Sequence, residues 1–234
     1  MSTIKHFVKQ LPIAGPMARA MYRLLIGGRR NTTDPFPGSA KYWEDRYLTG
    51  GSSGVGSYGK FARFKAEVLN AFVNENGVEN VIEFGCGDGN QLELAKYPRY
   101  LGVDVSEAAV ALCRVKFCAD KSKSFCHLTE YDGATAELSL SLDVIYHLVE
   151  NNTFENYMQC LFNSSTRFVI IYSSNIDDDN YNNDIHVRHR KFNTWVDKNA
   201  DGWSLIKHVP NKYPYAGDYT KGSFSDFYIF ERIS

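Results

Sequence analysis

Apolar residues recur along this chain at two different periods. Between residues 60 and 74 they stand at Phe61, Phe64, Val68, Leu69, Phe72 and Val73, the spacing of one face of an α-helix. Asn76-Gly77 then closes that helix. From residue 81 onward short apolar runs predict strands over 81–85, 100–104, 124–128, 137–143 and 167–173. The segments between them predict helices over 90–96, 106–117 and 153–164. A further helix is expected over 39–49, with Ser39 as its cap. The tail reads as a helix over 189–199, then strands over Trp203–Val209 and Asp226–Ile233. Such alternation builds a parallel sheet with helices on both faces, and the last two strands suit an antiparallel edge.

Composition narrows the class. A chain of 234 residues with 44% hydrophobic content has enough apolar surface for one α/β domain with a substantial core. A net charge of −1 gives no global argument for a nucleic-acid partner, so none is expected. The five cysteines, at 86, 113, 118, 126 and 160, are odd in number and form no C-x-x-C pair. That speaks against a disulfide framework or structural zinc site and for a reducing compartment. No stretch has the length of a membrane-spanning helix and no secretory apolar region opens the chain, so the expectation is a cytoplasmic protein.

Charge is unevenly distributed. No acidic residue precedes Asp34, whereas Lys5, Lys9, Arg19, Arg23, Arg29 and Arg30 do. Residues 1–38, broken by Pro12, Pro16, Pro35 and Pro37, read as a basic appendage to a domain over 39–234. Residues 17–26 within it suit a short basic amphipathic helix. Two roles are open: peripheral contact of residues 1–30 with an anionic membrane surface, at the inner face, or packing on the domain or a second subunit.

The most informative chemistry lies in Val81-Ile82-Glu83-Phe84-Gly85-Cys86-Gly87-Asp88-Gly89. A strand ends in an acid and turns through glycines at alternate positions. The turn brings the backbone close to a ligand, with the free N–H groups of a helix starting near Asn90 beside it. The spacing departs from the dinucleotide fingerprint G-x-G-x-x-G, because Asn90 and Gln91 follow Gly89. An acid at the strand end suits a cationic group better than a pyrophosphate. About twenty residues on, Tyr100-Leu101-Gly102-Val103-Asp104-Val105-Ser106 ends a second strand in another acid. Asp104 can accept both hydroxyls of a ribose; the alternative is that it caps the next helix.

With these two strand ends the chain resembles the class I S-adenosylmethionine-dependent methyltransferases, over roughly residues 40–175. The resemblance implies a single Rossmann-like α/β domain with a mostly parallel seven-stranded sheet, helices on both faces and an antiparallel C-terminal edge strand. It implies S-adenosylmethionine as cofactor and S-adenosylhomocysteine as product. Glu83, Gly85, Cys86, Gly87, Asp88, Asn90 and Gln91 would hold the methionine part, Glu83 facing its ammonium group. Asp104 and Val105 would hold the ribose, and an acid after the third strand, Asp132 or Glu130, the adenine amino group. An Asp-Gly pair at 132–133 is also simple turn chemistry.

Other segments supply candidates for the acceptor. Gly54-Val55-Gly56-Ser57-Tyr58-Gly59-Lys60 matches a phosphate-binding P-loop in part, but Phe61 stands where a Ser or Thr should ligate magnesium and no strand precedes it. This loop is expected instead to fold over the cofactor, with Tyr58 against the methionine. Trp43, Arg46 and Tyr47 are candidates to line the acceptor pocket, or else pack the first helix. The fourth strand ends in Leu142-Asp143-Val144-Ile145-Tyr146-His147. Asp143 is expected by the methyl-bearing sulfur and His147 is a candidate general base, with a purely supporting role as the alternative. Asp177-Asp178-Asp179, Asp184 and His186-Val187-Arg188-His189-Arg190 follow the fifth strand. His186 and His189 are further catalytic candidates. Arg188 and Arg190 suit an anionic acceptor, the alternative being a solvated loop; the spacing does not favour a metal, and none is expected.

The run Tyr-Trp-Glu-Asp-Arg-Tyr, then Gly-Ser-Tyr-Gly, then Ile-Glu-Phe-Gly-Cys-Gly-Asp-Gly resembles bacterial methyltransferases of surface-polysaccharide or other glycoconjugate assembly. It implies a small-molecule or glycan acceptor methylated on an oxygen of an anionic sugar, phosphate or carboxylate, within polysaccharide biosynthesis. A non-catalytic cofactor-binding or assembly protein of the same fold, or a nucleotide-dependent enzyme, are the rival readings.

Overall fold

The computed structural model describes residues 35–177 and 184–233. The basic segment through Asn31 to Asp34, with the helix expected over 17–26, lies outside them, as do Asp178 and Asp179. The first described helix, α1, spans Ser39–Leu48, and α2 spans Gly59–Glu75 after a 3-10 turn at Val55–Ser57. Strands β1 (Val81–Phe84), β2 (Tyr100–Asp104), β3 (Lys123–His127), β4 (Ala136–Leu142) and β5 (Ser165–Ser173) follow. Between them lie α3 (Glu107–Lys116) and α4 (Asn151–Asn163); α5 (Phe192–Asn199), β6 (Trp203–Val209) and β7 (Asp226–Arg232) complete the domain.

One seven-stranded sheet runs β3-β2-β1-β4-β5-β7-β6. Strands β1 to β5 pair parallel, while β7 lies antiparallel between β5 and β6. Chain order reverses between β1 and β4, so a crevice opens at the carboxyl ends of those two strands, the usual ligand position in such sheets.

The alternation of residues along the strands sorts the core. Val81, Leu138, Leu140, Leu142 and Ile170 face α2 and α3, meeting Phe64, Leu69, Phe72, Val110 and Cys113. Ile82, Phe84, Val103, Val169 and Ile171 face α4 and α5, meeting Phe154, Met158, Leu161 and Trp195. Strands buried on both faces read as continuous apolar runs, and all four residues of β1 are buried.

Three local expectations are corrected. The helix expected over 90–96 is a single 3-10 turn, Gln91–Leu94, which ends where Ala95 turns extended at ψ 144°. Ser39 is the first residue of α1, not its cap, and Gly38 holds the cap position. The start of α1 is satisfied from far along the chain: Ser39 N–H donates to Glu150 Oε1 at 2.8 Å and Ser39 Oγ–H to Oε2 at 2.7 Å. The helix expected over 189–199 begins only at Phe192. The residues before it are pinned outside the helix, with Arg188 N–H donating to Tyr146 O at 2.7 Å and Lys191 N–H to Asp177 Oδ1 at 2.8 Å.

Candidate functional site

The glycine loop leaves β1 and turns back at once. Gly85, Gly87 and Gly89 all have positive φ, and Gly85 N–H donates to Val103 O of the neighbouring strand at 2.7 Å. At Gly85 no side chain is possible: a Cβ would lie 2.5 Å from Val144 Cγ2, and φ is +84°. The loop edges a cavity of about 440 Å³ over the switch point. Gly85, Cys86, Gly87, Asp88 and Gln91 line it on one side, with Glu83, Asp104 and Val105 from the first two strands. Trp43 and Tyr47 of α1 close it above, and Asp143, Val144 and His147 line the β4 side. Thr153, Asn156 and Tyr157 of α4 also line it.

Two strand-end acids are buried in this wall. Glu83 accepts from Tyr100 Oη–H at 2.7 Å. Burial pushes its carboxyl up to about 7, against the pull of that hydrogen bond and of the Lys65 charge. Asp104 Oδ2 accepts from Gly87 N–H at 2.8 Å and Oδ1 from Ser106 N–H at 2.9 Å. Burial raises it to about 6, against the Ser106 and Gly87 hydrogen bonds. Asp104 therefore ties the second strand to the glycine loop. The cap of α3 is Ser106, whose Oγ accepts from Ala109 N–H at 3.1 Å.

Asp143 is the one described non-glycine residue with positive φ, at 60°. Its carboxylate is fully engaged: Oδ2 accepts from Lys65 Nζ–H at 2.7 Å, and Oδ1 from Tyr146 Oη–H at 2.9 Å and Ser225 Oγ–H at 3.0 Å. The Gly/Ser loop passes directly over it, for a Cβ on Gly56 would lie 2.8 Å from Oδ2. Lys65 is a residue that sequence reasoning missed. Its side chain has no solvent exposure and its ammonium lies 5.2 Å from the Tyr172 ring centre. The signal was available: Lys65 stands four residues from both Phe61 and Leu69, inside the apolar stripe of α2.

His147 is sandwiched by aromatic rings. Trp43 meets it edge-on at 4.8 Å and His186 stacks on it at 5.4 Å; Tyr42 stacks on His186 at 4.5 Å. The His147 Nδ1 lies 3.1 Å from the His186 carbonyl oxygen. A carbonyl only accepts, so Nδ1 carries the proton and Nε2 is left as an acceptor. Burial lowers the imidazolium pKa to about 4, and the ring is neutral at neutral pH.

The Gly/Ser loop closes through Asp88 rather than through Tyr58 against a ligand. Tyr58 Oη–H donates to Asp88 Oδ2 at 2.7 Å and Ser53 N–H to the same oxygen at 3.0 Å. Burial alone would raise the Asp88 carboxyl, but these bonds and that from Asn90 N–H hold it below its ordinary range. Ser53 Oγ in turn accepts from Asp88 N–H at 3.0 Å and meets Tyr47 Oη at 2.9 Å. Asn90 is used here too, its Nδ2–H donating to Ser57 O at 2.6 Å. Tyr58 and Asn90 are thus loop fasteners outside the cavity lining.

Other candidates lie elsewhere. Glu130 pairs with Arg114 at 3.1 Å and Asp132 accepts from Ala134 N–H at 3.2 Å, both exposed and neither lining the cavity. Turn and surface bonds hold both, and Leu128 is the residue of that segment that lines the cavity. Arg188 and Arg190 do not line the cavity. Arg188 donates to Val149 O at 3.2 Å and Asn151 Oδ1 at 2.8 Å, and the buried Arg190 to Leu148 O and Val149 O at 2.9 and 2.8 Å. They fasten the start of α4. Arg46 donates from Nε to Ser52 O at 2.6 Å and sits 5.4 Å from the Trp43 ring centre, outside the lining. His189 is buried with Nδ1 2.7 Å from Ser174 Oγ, and His186 reaches the site through its ring stack on His147 and its carbonyl bond to His147 Nδ1. The P-loop match forms no phosphate cradle, since Lys60 Nζ–H donates to Lys221 O at 2.6 Å. Among the described residues no group of three His, Cys, Asp or Glu is placed to hold a metal ion.

No protein-family model matches the chain, and no curated protein matches it in sequence. Solved structures do match in fold. The N-methyltransferase NodS from Bradyrhizobium japonicum WM9, in complex with S-adenosyl-L-homocysteine, aligns with TM-score 0.64 at 14% identity over 84% of this chain and 99% of that one. The magnesium protoporphyrin IX methyltransferase ChlM from Synechocystis PCC 6803, with bound SAM, gives 0.59 at 16% over 86% and 100%. The methyltransferase domain of bacterial CtHen1-C gives 0.56 at 20% over 73% and 97%. The chain has the fold of the class I S-adenosylmethionine-dependent methyltransferases.

Proposed function

We propose that this chain transfers a methyl group from S-adenosylmethionine to a hydroxyl oxygen of a small or glycan-linked acceptor. The observation that carries the reading is one cavity, at the switch point of a methyltransferase sheet, walled jointly by Glu83, the 85–87 loop and Asp104. The chemistry of that wall fits the cofactor. A cationic ligand favours the ionised form of acids that burial alone would protonate, and Asp104 has the acceptor oxygens a ribose needs. The similar structures that hold S-adenosylmethionine or its product lend the same support.

When bound, the cofactor supplies a methyl group on a positively charged sulfur. The chain's own residues supply position and a proton acceptor. The glycine loop and Asp104 would hold the methionine and ribose parts, and Trp43 and Tyr47 exclude water above them. His147 Nε2 is free to accept. With a pKa near 4 it does not ionise a hydroxyl in advance. It takes the proton as the attacking oxygen acquires positive charge and becomes strongly acidic.

Arg188 and Arg190 are committed to carbonyl oxygens and do not line the cavity, and Lys65, which does, is paired with Asp143. Trp43 offers an aromatic ring to the cavity, which suits the C–H face of a sugar ring. Transfer of labelled methyl from S-adenosylmethionine to sugar acceptors with free hydroxyls tests this. Incorporation that His147→Ala lowers by about 10²-fold or more supports the reading. Label found only on amines, or none on any sugar, counts against it.

The proposal extends to location. Residues 1–30 would contact an anionic membrane surface, and deleting them should abolish vesicle binding without unfolding the domain. Equal binding by the truncated protein would end that part.

A further inference from the structure

The ionisable groups that line the cavity are mostly acidic. Glu83, Asp88, Asp104 and Asp143 face it, and among the described residues Lys65, already paired with Asp143, is the one Lys or Arg in its wall. An anionic ligand placed there meets more negative charge than positive, with little water to screen it. Accessible positive charge lies instead on the surface beside the cavity. Lys60 and Lys212 bring their ammonium groups to 4.7 and 6.0 Å from the Tyr213 ring centre. Arg63 stands on α2 between Lys60 and Glu67, one turn from each, and is exposed with no ion pair to a described residue. Lys221 joins them, its carbonyl oxygen accepting from Lys60 Nζ–H at 2.6 Å. Glu67 and Asp218 pair with Lys212 and Lys221 at 3.7 and 3.2 Å, but exposed ion pairs are weak and yield to another anion. Two links join this rim to the cavity. Ser57, in the cavity wall, is three residues before Lys60. Ser225, closing the loop that carries Lys212 and Lys221, donates to Asp143 Oδ1 at 3.0 Å.

We infer that this basic rim holds the anionic part of a polyanionic glycan outside the cavity, while an uncharged ring of the same glycan enters and presents its hydroxyl. The inference rests on the glycan-linked reading of the acceptor above and adds the residues that select its charge. Tyr219, 69% exposed on the same loop, offers a ring for the C–H face of a sugar. A single-stranded nucleic acid fits the rim less well. Its bases stack on successive aromatic rings, whereas Tyr213 is flanked by two ammonium groups and Tyr215 is stacked on Phe224 at 3.8 Å.

The test titrates the full chain, in the presence of S-adenosylhomocysteine, with an oligogalacturonide, a neutral malto-oligosaccharide of equal length and a single-stranded oligoribonucleotide. The oligogalacturonide should bind at least about tenfold tighter than the neutral oligosaccharide at low salt, and lose that margin as salt screens the rim. Arg63→Glu combined with Lys212→Glu should remove the margin and leave S-adenosylhomocysteine affinity within about twofold, which also shows that the variant is folded. Equal binding of the charged and neutral oligosaccharides overturns the inference. Unchanged binding by the variant does so too, and assigns the polyanion to the basic residues before Asp34. Tighter binding of the oligoribonucleotide, lost in the same variant, overturns it by making the partner a nucleic acid. Methyl transfer to neutral sugars with no binding at the rim overturns this inference and leaves the glycan reading standing. Transfer to no sugar overturns that reading and this inference with it.

Discussion

At the residue scale, the glycine loop works because its geometry admits nothing larger. A methyl group on Gly85 meets Val144 and a positive φ together, so Gly85→Ala should cost stability and empty the cavity of ligand. Retention of wild-type S-adenosylhomocysteine affinity by this variant would contradict that. Asp104→Ala removes both the proposed ribose acceptor and the bond to Gly87 N–H. It should weaken cofactor binding at least tenfold, about 1.4 kcal/mol, in the same titration. Asp143 is held by three donors in a left-handed conformation. Asp143→Ala strands the Lys65 ammonium, and denaturant unfolding should register a loss of ~3–5 kcal/mol. That Glu83, Gly85 and Asp104 come together at one cavity was legible in the spacing, because strand ends and glycines carry their positions in sequence. Lys65 was missed because a lysine in an amphipathic helix is ordinarily read as solvated, although its place in the apolar stripe of α2 marked it. Arg188 and Arg190 misled for the opposite reason: charge in sequence says nothing about which carbonyls lie within reach.

At the element scale, α1 is a lid fastened at both ends. Glu150, itself the cap residue of α4, holds Ser39 at the start. Further along, Glu44 Oε2 accepts from Ser106 Oγ–H at 2.6 Å and from Ala108 N–H at 3.2 Å at the start of α3. The helix thereby presents Trp43 and Tyr47 to the cavity. Glu150→Ala removes the acceptors at the start of α1 and should cost about 1–2 kcal/mol, with α1 becoming the first site of limited proteolysis. Unchanged protease resistance would show that Glu44 alone suffices. The long periodic elements were legible because their burial follows the sequence period. The turn at Gln91–Leu94 and the late start of α5 were not. The first stops where Ala95 turns extended, and the second is set by the bonds that hold Arg188 and Lys191.

At the scale of the whole molecule, burial of opposing titratable groups couples folding to pH. Glu83 and Asp104, raised to about 7 and about 6, stay protonated in the fold where the unfolded chain has lost those protons. Their contribution is fully present below about pH 4 and is lost as pH rises to about 7. His147, lowered to about 4, acts oppositely: its contribution is present above about pH 6.5 and is lost as pH falls through about 4. A cationic cofactor favours the ionised acids, so binding near pH 6 should release protons. Titration heats in buffers of different ionisation enthalpy measure that release, and affinity should rise between about pH 5.5 and 8. Buffer-independent heats would contradict the placement of the two acids at the ligand.

The central claim is that the cavity at the β1–β4 switch point holds S-adenosylmethionine. Titration of the purified chain with S-adenosylmethionine and S-adenosylhomocysteine tests it most directly. Both ligands should bind one-to-one at micromolar affinity, about −8 kcal/mol, weakened by Asp104→Ala. Absence of binding by either ligand, in a protein that unfolds cooperatively and is therefore folded, would contradict it.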